Sequence, residues 1–243
     1  MINVVIPMAG AGSRFSKAGF SKPKPFIDVN GKPMIVRVLD NLSLPEAHYI
    51  LVARREHMEA ESDLVMEIKN SYPATFITID GLTEGTACTV MHARKLIGNE
   101  RPLLIANSDQ IVDFKPQDFV EDCLTRNLDG SILTFIDKKR DPKWSFARIG
   151  DDGLVCEVKE KIAISEIATV GIYLFRRGSD FVDATIEMFL AQDRINGEYY
   201  TCPSYNYMIR DGMRIGAYNV WQSAMHGLGT PEDLRGYLSL LSS

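Results

Sequence analysis

The chain has 243 residues, of which 45% are hydrophobic and 24% charged, with a formal net charge of −5. That length and composition allow a sizeable buried core. The acidic balance argues against a general nucleic-acid or membrane-surface binder, which needs a basic face, but leaves open small anionic ligands, which need only a local cluster of Lys, Arg or backbone N–H.

Residues 3–7 read as a buried strand. Residues 33–42 have helical apolar spacing, with Pro33 suited to a first turn. A second strand follows at 48–53, a polar-faced helix at 55–71, a third strand at 74–79, a helix at 85–97, a fourth strand at 102–109 and a helix at 116–127. Strand and helix alternating at this spacing imply parallel strands joined by crossovers. In such sheets ligands bind beyond the carboxyl ends of the strands. The loops after the first, third and fourth strands (9–14, 80–86 and 107–110) should therefore share one rim.

From about residue 130 the texture changes. Short β-rich runs at 130–137, 146–150, 154–161 and 168–175 suggest mixed or antiparallel strands added to the sheet. Helices are predicted at 179–192 and 231–242. Between them lie a tyrosine-rich stretch at 197–212 and a strand at 214–220. With no repeat, low-complexity tract or linker, residues 1–243 read as one domain. No apolar run approaches the roughly 20 residues of a membrane span. Met1-Ile2-Asn3 opens no basic, apolar leader, so a cytoplasmic protein is expected. Cys88, Cys123, Cys156 and Cys202 form no CxxC pair, which argues for reduced, buried thiols and against zinc.

The first strand runs into Ala9-Gly10-Ala11-Gly12-Ser13-Arg14. Glycines there let the backbone bend sharply, exposed N–H groups make an anion nest, and Arg14 adds a charged fork for phosphate oxygens. The loop is neither a P-loop nor a G-x-G-x-x-G fingerprint, and a tight turn with a solvated arginine would also explain it. Pro23-Lys24-Pro25-Phe26 and Gly31-Lys32-Pro33-Met34-Ile35 follow. The three ordered blocks together resemble the N-terminal signature of the sugar-phosphate nucleotidyltransferase family, which activates sugar phosphates and related alcohol phosphates.

The resemblance implies an α/β fold: a three-layer α/β/α sandwich with a mixed, mainly parallel sheet, glycosyltransferase-A-like. It implies a nucleotide-binding half at 1–128 and an acceptor-binding half at 129–243. Ala9, Gly10, Ala11, Gly12 and Ser13 would wrap a triphosphate, Arg14 would hold its outer phosphates, and Lys24 its α-phosphate, with Lys22 as a rival. Lys32 reads as a solvated turn residue. Asp109 matches the aspartate that binds Mg²⁺ in the family. Asp80 through Ala87 resemble the base-reading segment, with Gly85 letting the base stack close. Thr86 could equally cap the following helix. Asp80 stands where Gln is usual; a carboxylate can accept from the amino group of cytosine or adenine, a hint of CTP. Glu160-Lys161 resembles the pair that holds acceptor hydroxyls and acceptor phosphate, against the alternative of alternating charge on an exposed strand. Gly171 lies in the strand lining the acceptor site. Phe146-Ala147 stands for a usual Tyr-Gly pair, where Ala147 would crowd the acceptor.

The match breaks near the C-terminus. The family commonly has Trp-x-Asp-x-Gly-Thr, whose Asp is a second metal ligand; here Gly227 holds that position before Gly229-Thr230. Glu198 could substitute, or the metal could rely on Asp109, phosphates and water. His226 reads as structural and Thr230 as a helix N-cap. The expectation is an Mg²⁺-dependent nucleotidyltransferase acting on an NTP and a small phosphorylated acceptor, with pyrophosphate released. Its product would serve surface-polysaccharide synthesis. No nucleic-acid partner is expected, and a homo-oligomer stays open. The alternatives are a glycosyltransferase of the same fold, or a non-catalytic nucleotide or sugar-phosphate sensor.

Overall fold

A computed structural model describes residues 1–242. Nine strands form the main sheet: β1 (Ile2–Pro7), β2 (Ala47–Arg54), β3 (Ala74–Ile79), β4 (Leu103–Ala106), β5 (Gly130–Ile136), β6 (Ser145–Ile149), β7 (Val155–Glu160), β8 (Ile167–Phe175) and β9 (Ile215–Asn219). Their order is β7-β6-β8-β4-β1-β2-β3, with β5 beside β8 and β9 outside β5. β1 pairs in parallel with β2 and β4, and β2 with β3. β8 runs antiparallel to β4, β5 and β6.

β1 is covered on both faces. Val4 and Ile6 enter one apolar cluster and Val5 the other, as the period of two requires. The first cluster takes Ile35 and Leu39 of helix Met34–Asn41, Val65 and Ile68 of Ser62–Ser71, and Phe119 of Pro116–Thr125. The second takes Val90 of Thr86–Met91, Phe181 and Met188 of Gly178–Leu190, and Tyr205 and Met208 of Ser204–Arg210. The result is a three-layer α/β/α sandwich around a mixed sheet, parallel through its N-terminal strands.

Several elements depart from the sequence expectation. The 55–71 helix is two helices, Arg55–Ala60 and Ser62–Ser71. They are separated at Glu61, whose φ of −126° leaves the helical region. The 85–97 helix is likewise two pieces, Thr86–Met91 and Arg94–Ile97. The tyrosine-rich stretch holds a helix, Ser204–Arg210, and residues 110–112 pair with 225–227 in a separate ribbon. The thiols are free, but only Cys123 and Cys202 are buried; Cys88 is half-buried and Cys156 exposed. Among the described residues no helix is long and apolar enough to cross a membrane.

The feature that positions the site is a bulge in β8. Its register against β5 shifts between Thr169 and Tyr173, where Gly171 takes φ +90°. Ile172 pairs with Ala106, the last residue of β4, so residues 169–171 extend beyond the carboxyl end of β4. Tyr205 supports this region. Its buried ring stacks on Phe175 at 4.6 Å, and its hydroxyl donates to the Leu174 carbonyl at 2.9 Å, with the Ser131 carbonyl at 3.2 Å. Tyr205→Phe keeps the packing and removes this bond. It should lower unfolding stability by about 1–2 kcal/mol, read from the urea midpoint; an unchanged midpoint would deny the hydroxyl its structural part.

Candidate active site

One cleft of about 640 Å³ runs along the rim of the sheet. The loops that follow β1, β3 and β4 all line it, through residues 9–14, 82, 83, 85, 86 and 107–109. So do residues 143–145, 160–161, 169–171, 198 and 200–202.

The first loop leaves β1 at Pro7 and turns at Gly12, with φ +60° and ψ 21°. Among the described residues, the backbone N–H groups of Ala9, Gly10, Ala11 and Gly12 donate to no protein acceptor. They are four free donors at a cleft wall, the arrangement of an anion cradle. The Arg14 guanidinium, exposed beside them, makes no ion pair among the described residues. A Cβ on Gly12 would come within 3.1 Å of Lys24 Cβ. The glycine loop and the lysine block therefore touch. Phe15, fully buried, anchors the short helix after the loop, edge-on to Phe20 at 5.2 Å.

Lys24 enters the cleft and its ammonium donates to Asp109 Oδ2. Lys22 does not line the cleft and pairs with Glu61 at 3.3 Å. Lys32 pairs with Asp40 at 2.7 Å on the surface. Among the described residues no group of three or more His, Cys, Asp or Glu gathers to hold a metal. Asp109 is nonetheless a fit for Mg²⁺, a hard cation that coordinates carboxylate, phosphate and water oxygens. Its Oδ2 accepts from the Lys24 ammonium.

At the other end Glu160 and Lys161 close strand β7. Glu160 is buried and accepts from the Ser145 hydroxyl. Burial raises its pKa above the ordinary 4.5, and Glu198 adds to the rise against the Ser145 bond and the Lys161 charge. Lys161 sits in the left-handed region, φ +58°, an uncommon conformation for a side chain of this size. Its backbone N–H donates to the Trp144 carbonyl at 3.1 Å. Its ammonium donates to the Tyr200 hydroxyl at 2.5 Å and lies 4.4 Å from that ring's centre. Tyr200 in turn donates to Glu198. Burial alone would lower the Lys161 pKa; the Tyr200 bond and the Glu160 and Glu198 charges outweigh it and leave the pKa raised.

The third-strand loop is sewn to the tyrosine-rich segment. Tyr199 N donates to the Glu84 carbonyl at 2.7 Å, and Ala87 N to the Tyr199 carbonyl at 3.0 Å. Gly85 has φ +111°, and a Cβ there would meet Tyr199 O at 2.3 Å. The glycine is required by this backbone contact. Thr86 is not a cap. Gly85 holds the N-cap position, and Thr86 Oγ1 accepts from Thr201 N at 3.2 Å.

Three expectations need correction. Asp80 does not line the cleft; it is exposed and bound to Arg55 at 2.7 Å, so the CTP hint loses the residue that carried it. Ala147 is fully buried in the core and cannot crowd a ligand; Trp144 and Ser145 line the cleft instead. Glu198 is engaged by Tyr200 at the Glu160-Lys161 end, which removes it as a free substitute ligand beside Asp109. His226 rests on Asp113 at 2.8 Å and against the Tyr237 ring. Sequence reasoning missed Asn107, Trp144 and Tyr200. Asn107 had one signal, in Gly171. A Cβ on that glycine would fall 2.1 Å from Asn107 Nδ2, so only Gly lets the amide in. Tyr200 had the clustering of tyrosines.

The buried Glu160 carboxylate gives a signed pH effect. Its folded pKa lies above the unfolded value. The native state therefore binds the proton more tightly, and stability is lost as pH rises through the folded pKa. Glu160→Gln keeps an acceptor for Ser145 and removes that loss. The variant should melt above the wild type at pH 7, with the gap closing as pH falls through the folded pKa and gone below about 4.5. A gap constant with pH would contradict the assignment.

Residues 3–195 match the nucleotidyl transferase family. The chain is 26% identical over 178 residues to the mannose-1-phosphate guanylyltransferase catalytic subunit beta of Drosophila melanogaster, covering 70% of this chain and 47% of that protein. The counterpart from Danio rerio is 24% identical over 187 residues, covering 72% and 49%. The chain thus spans about half the length of these relatives. The fold matches the nucleoside-diphosphate-sugar pyrophosphorylase of Vibrio cholerae RC9 with a TM-score of 0.84 at 24% identity, covering 97% of this chain and 99% of that one. It matches apo UDP-glucose pyrophosphorylase with a TM-score of 0.81 at 16% identity, covering 100% and 98%. With its glycine loop, its lysine block and the family match over most of its length, the chain belongs to the nucleotidyl transferase family.

Proposed function

We propose that this chain transfers a nucleotidyl group from a nucleoside triphosphate to a sugar 1-phosphate or similar small phosphorylated acceptor and releases pyrophosphate. The observation that carries the reading is one cleft with an amide cradle and Lys24–Asp109 at one end and Glu160–Lys161 at the other. The activity named for the relatives, guanylyl transfer to mannose 1-phosphate, supports the acceptor class.

In this reading the free amides of Ala9 to Gly12 and the Ser13 segment receive the triphosphate, with Arg14 on its outer phosphates. Lys24 exchanges Asp109 for the α-phosphate. Lys161 orients the acceptor phosphate, and ionised Glu160 accepts from acceptor hydroxyls. An acceptor phosphate oxygen attacks the α-phosphorus in line. The bond to the β-phosphate breaks, and its electron pair leaves with pyrophosphate. The nucleophile is already anionic, so no general base is needed. Positioning and charge neutralisation supply the acceleration. Asp109 would hold Mg²⁺, which when bound supplies neutralisation of phosphate charge. Gly85, Thr86 and Leu82 border the end where the base would lie. CTP, the nucleotide suggested by Asp80, has lost the residue that favoured it. Use of the product in surface-polysaccharide synthesis remains the expectation from the resemblance.

A glycosyltransferase of this fold is expected to carry Asp-x-Asp at the metal. The positions one residue removed from Asp109 on either side are Asn107 and Ile111, so Ser108-Asp109-Gln110 lacks the second aspartate. Pyrophosphate release with Mg²⁺, crossing four NTPs with sugar 1-phosphates and non-sugar alcohol phosphates, should single out one pair. Lys24→Ala should lower that turnover roughly 10²–10³-fold without lowering the melting temperature. Undiminished turnover in the folded variant would sink the reading.

A further inference from the structure

Two half-buried asparagines serve this fold by bonding backbone through both ends of the amide. Asn41 donates from Nδ2 to the Val112 carbonyl at 2.8 Å and accepts from Val112 N at 3.0 Å. Asn206 donates to the Val158 carbonyl and accepts from Val158 N, both at 2.9 Å. Asn107, half-buried as they are, does neither. Its carboxamide has no hydrogen-bond partner among the described residues and lines the cleft. Its backbone is secured without the side chain, since Asn107 N donates to the Gly171 carbonyl at 3.1 Å. The fold asks nothing of this amide.

The chain nevertheless makes room for it. Strand β8 bulges at Gly171, with φ +90°, and a Cβ there would fall 2.1 Å from Asn107 Nδ2 and 2.9 Å from its Cγ. Bulges beside active sites re-aim side chains; this one opens the space in which the amide sits. Strand β4 lies between β1 and β8. Asn107, the first residue beyond β4, therefore stands between the glycine loop that follows β1 and the bulge of β8. Asp109, which accepts from Lys24, is two residues on. Gly171 lines the same cleft as Glu160 and Lys161. The amide is set at the junction of the nucleotide end and the acceptor end.

We propose that Asn107 Nδ2 donates to the transferring α-phosphoryl group where the acceptor phosphate meets it. The inference rests on the nucleotidyl-transfer reading of the cleft. Arg14, Lys24 and Lys161 are cations and draw a phosphate whether or not it is reacting. An amide has no net charge, so it adds little to the hold on a resting phosphate. Its N–H groups gain most when charge builds on the non-bridging oxygens as the acceptor oxygen approaches. The amide keeps both protons, and no bond to it forms or breaks. The competing explanation is that the amide only fills the space over Gly171. Charge separates the two. Asn107→Leu fills the space with no polar atom, and Asn107→Asp keeps the shape but can only accept.

The test is pyrophosphate release by the full chain with Mg²⁺ and the NTP–acceptor pair that supports turnover, with thermal melts alongside. Asn107→Leu should lower kcat roughly 10²-fold, with both KM values within about threefold of the wild type. Asn107→Asp, which sets a negative charge against the phosphate, should lose more. Both should melt with the wild type, because the amide supports no backbone. Wild-type kcat in folded Asn107→Leu would overturn the inference and leave Asn107 a space-filling residue. Full turnover in Asn107→Asp with loss in Asn107→Leu would also overturn it, since the amide would then accept and not donate. A loss carried wholly by a raised KM, or a lowered melt in both variants, would refute the contact in favour of resting binding or of packing. Lys24→Ala separates the two levels. Turnover lost there and kept in both Asn107 variants refutes the Asn107 assignment alone. No pyrophosphate release by the wild type with any pair refutes the nucleotidyl-transfer reading and this inference with it.

Discussion

Lys24 and Asp109 lie 85 residues apart in the chain and share a hydrogen bond in the cleft. Their meeting follows from topology. β1 and β4 are parallel neighbours, Asn3 beside Leu103 and Val5 beside Ile105, so whatever follows each strand emerges on the same rim. An ammonium placed beside four free amide N–H groups would concentrate positive character in a partly desolvated cleft. Asp109 offsets it without filling the cradle. The pair holds Lys24 in place while no anion is present. On the proposed reading a triphosphate would take over the same ammonium and release the carboxylate for a cation.

Three glycines let the segments of the rim close on one another, and each does so by the side chain it lacks. Gly12 allows the loop to lie on Lys24. Gly85 allows the backbone of Tyr199 to press against the third-strand loop. Gly171, at the bulge of β8, leaves room for the Asn107 amide while its carbonyl accepts from Asn107 N at 3.1 Å. Positive φ at all three makes any other residue strained as well as crowded. The cleft is built from loops of different strands, and its dimensions are set by backbone contacts that only these positions permit.

Much of this was legible in the sequence because it is local or periodic. Val4, Val5 and Ile6 report a strand buried on both faces, and the order of strands and helices through residue 127 follows from spacing alone. The glycine loop and the lysine block carry their chemistry in residue type. What was not legible depends on tertiary placement. Nothing local distinguishes Lys22 from Lys24; the difference is that Glu61, at a break between two helices, is within reach of one of them. Asp80 reads as a base-contacting residue until Arg55, at the head of the helix that follows β2, is seen to hold it outside the cleft. The Glu198–Tyr200–Lys161 chain joins β7 to a segment nearly forty residues on. No periodicity signals that contact.

The cations of the cleft differ in how they are held, and the difference bears on what the cleft can admit. Lys24 rests on a carboxylate and Lys161 on a tyrosine hydroxyl backed by Glu198, while Arg14 has no such partner. The chain as a whole is acidic, at −5. At physiological salt a charge is felt over about 8 Å, so these groups act on anions already at the rim and the outer surface attracts none from afar. A long polyanion would have to lie along that acidic exterior to reach them. On the proposed reading a compact one fits inside, where its phosphates meet the untethered Arg14 and take Lys24 and Lys161 from their partners. The proposed selectivity for small phosphorylated molecules would then follow from where the positive groups are set, inside a cleft of about 640 Å³, more than from how many there are.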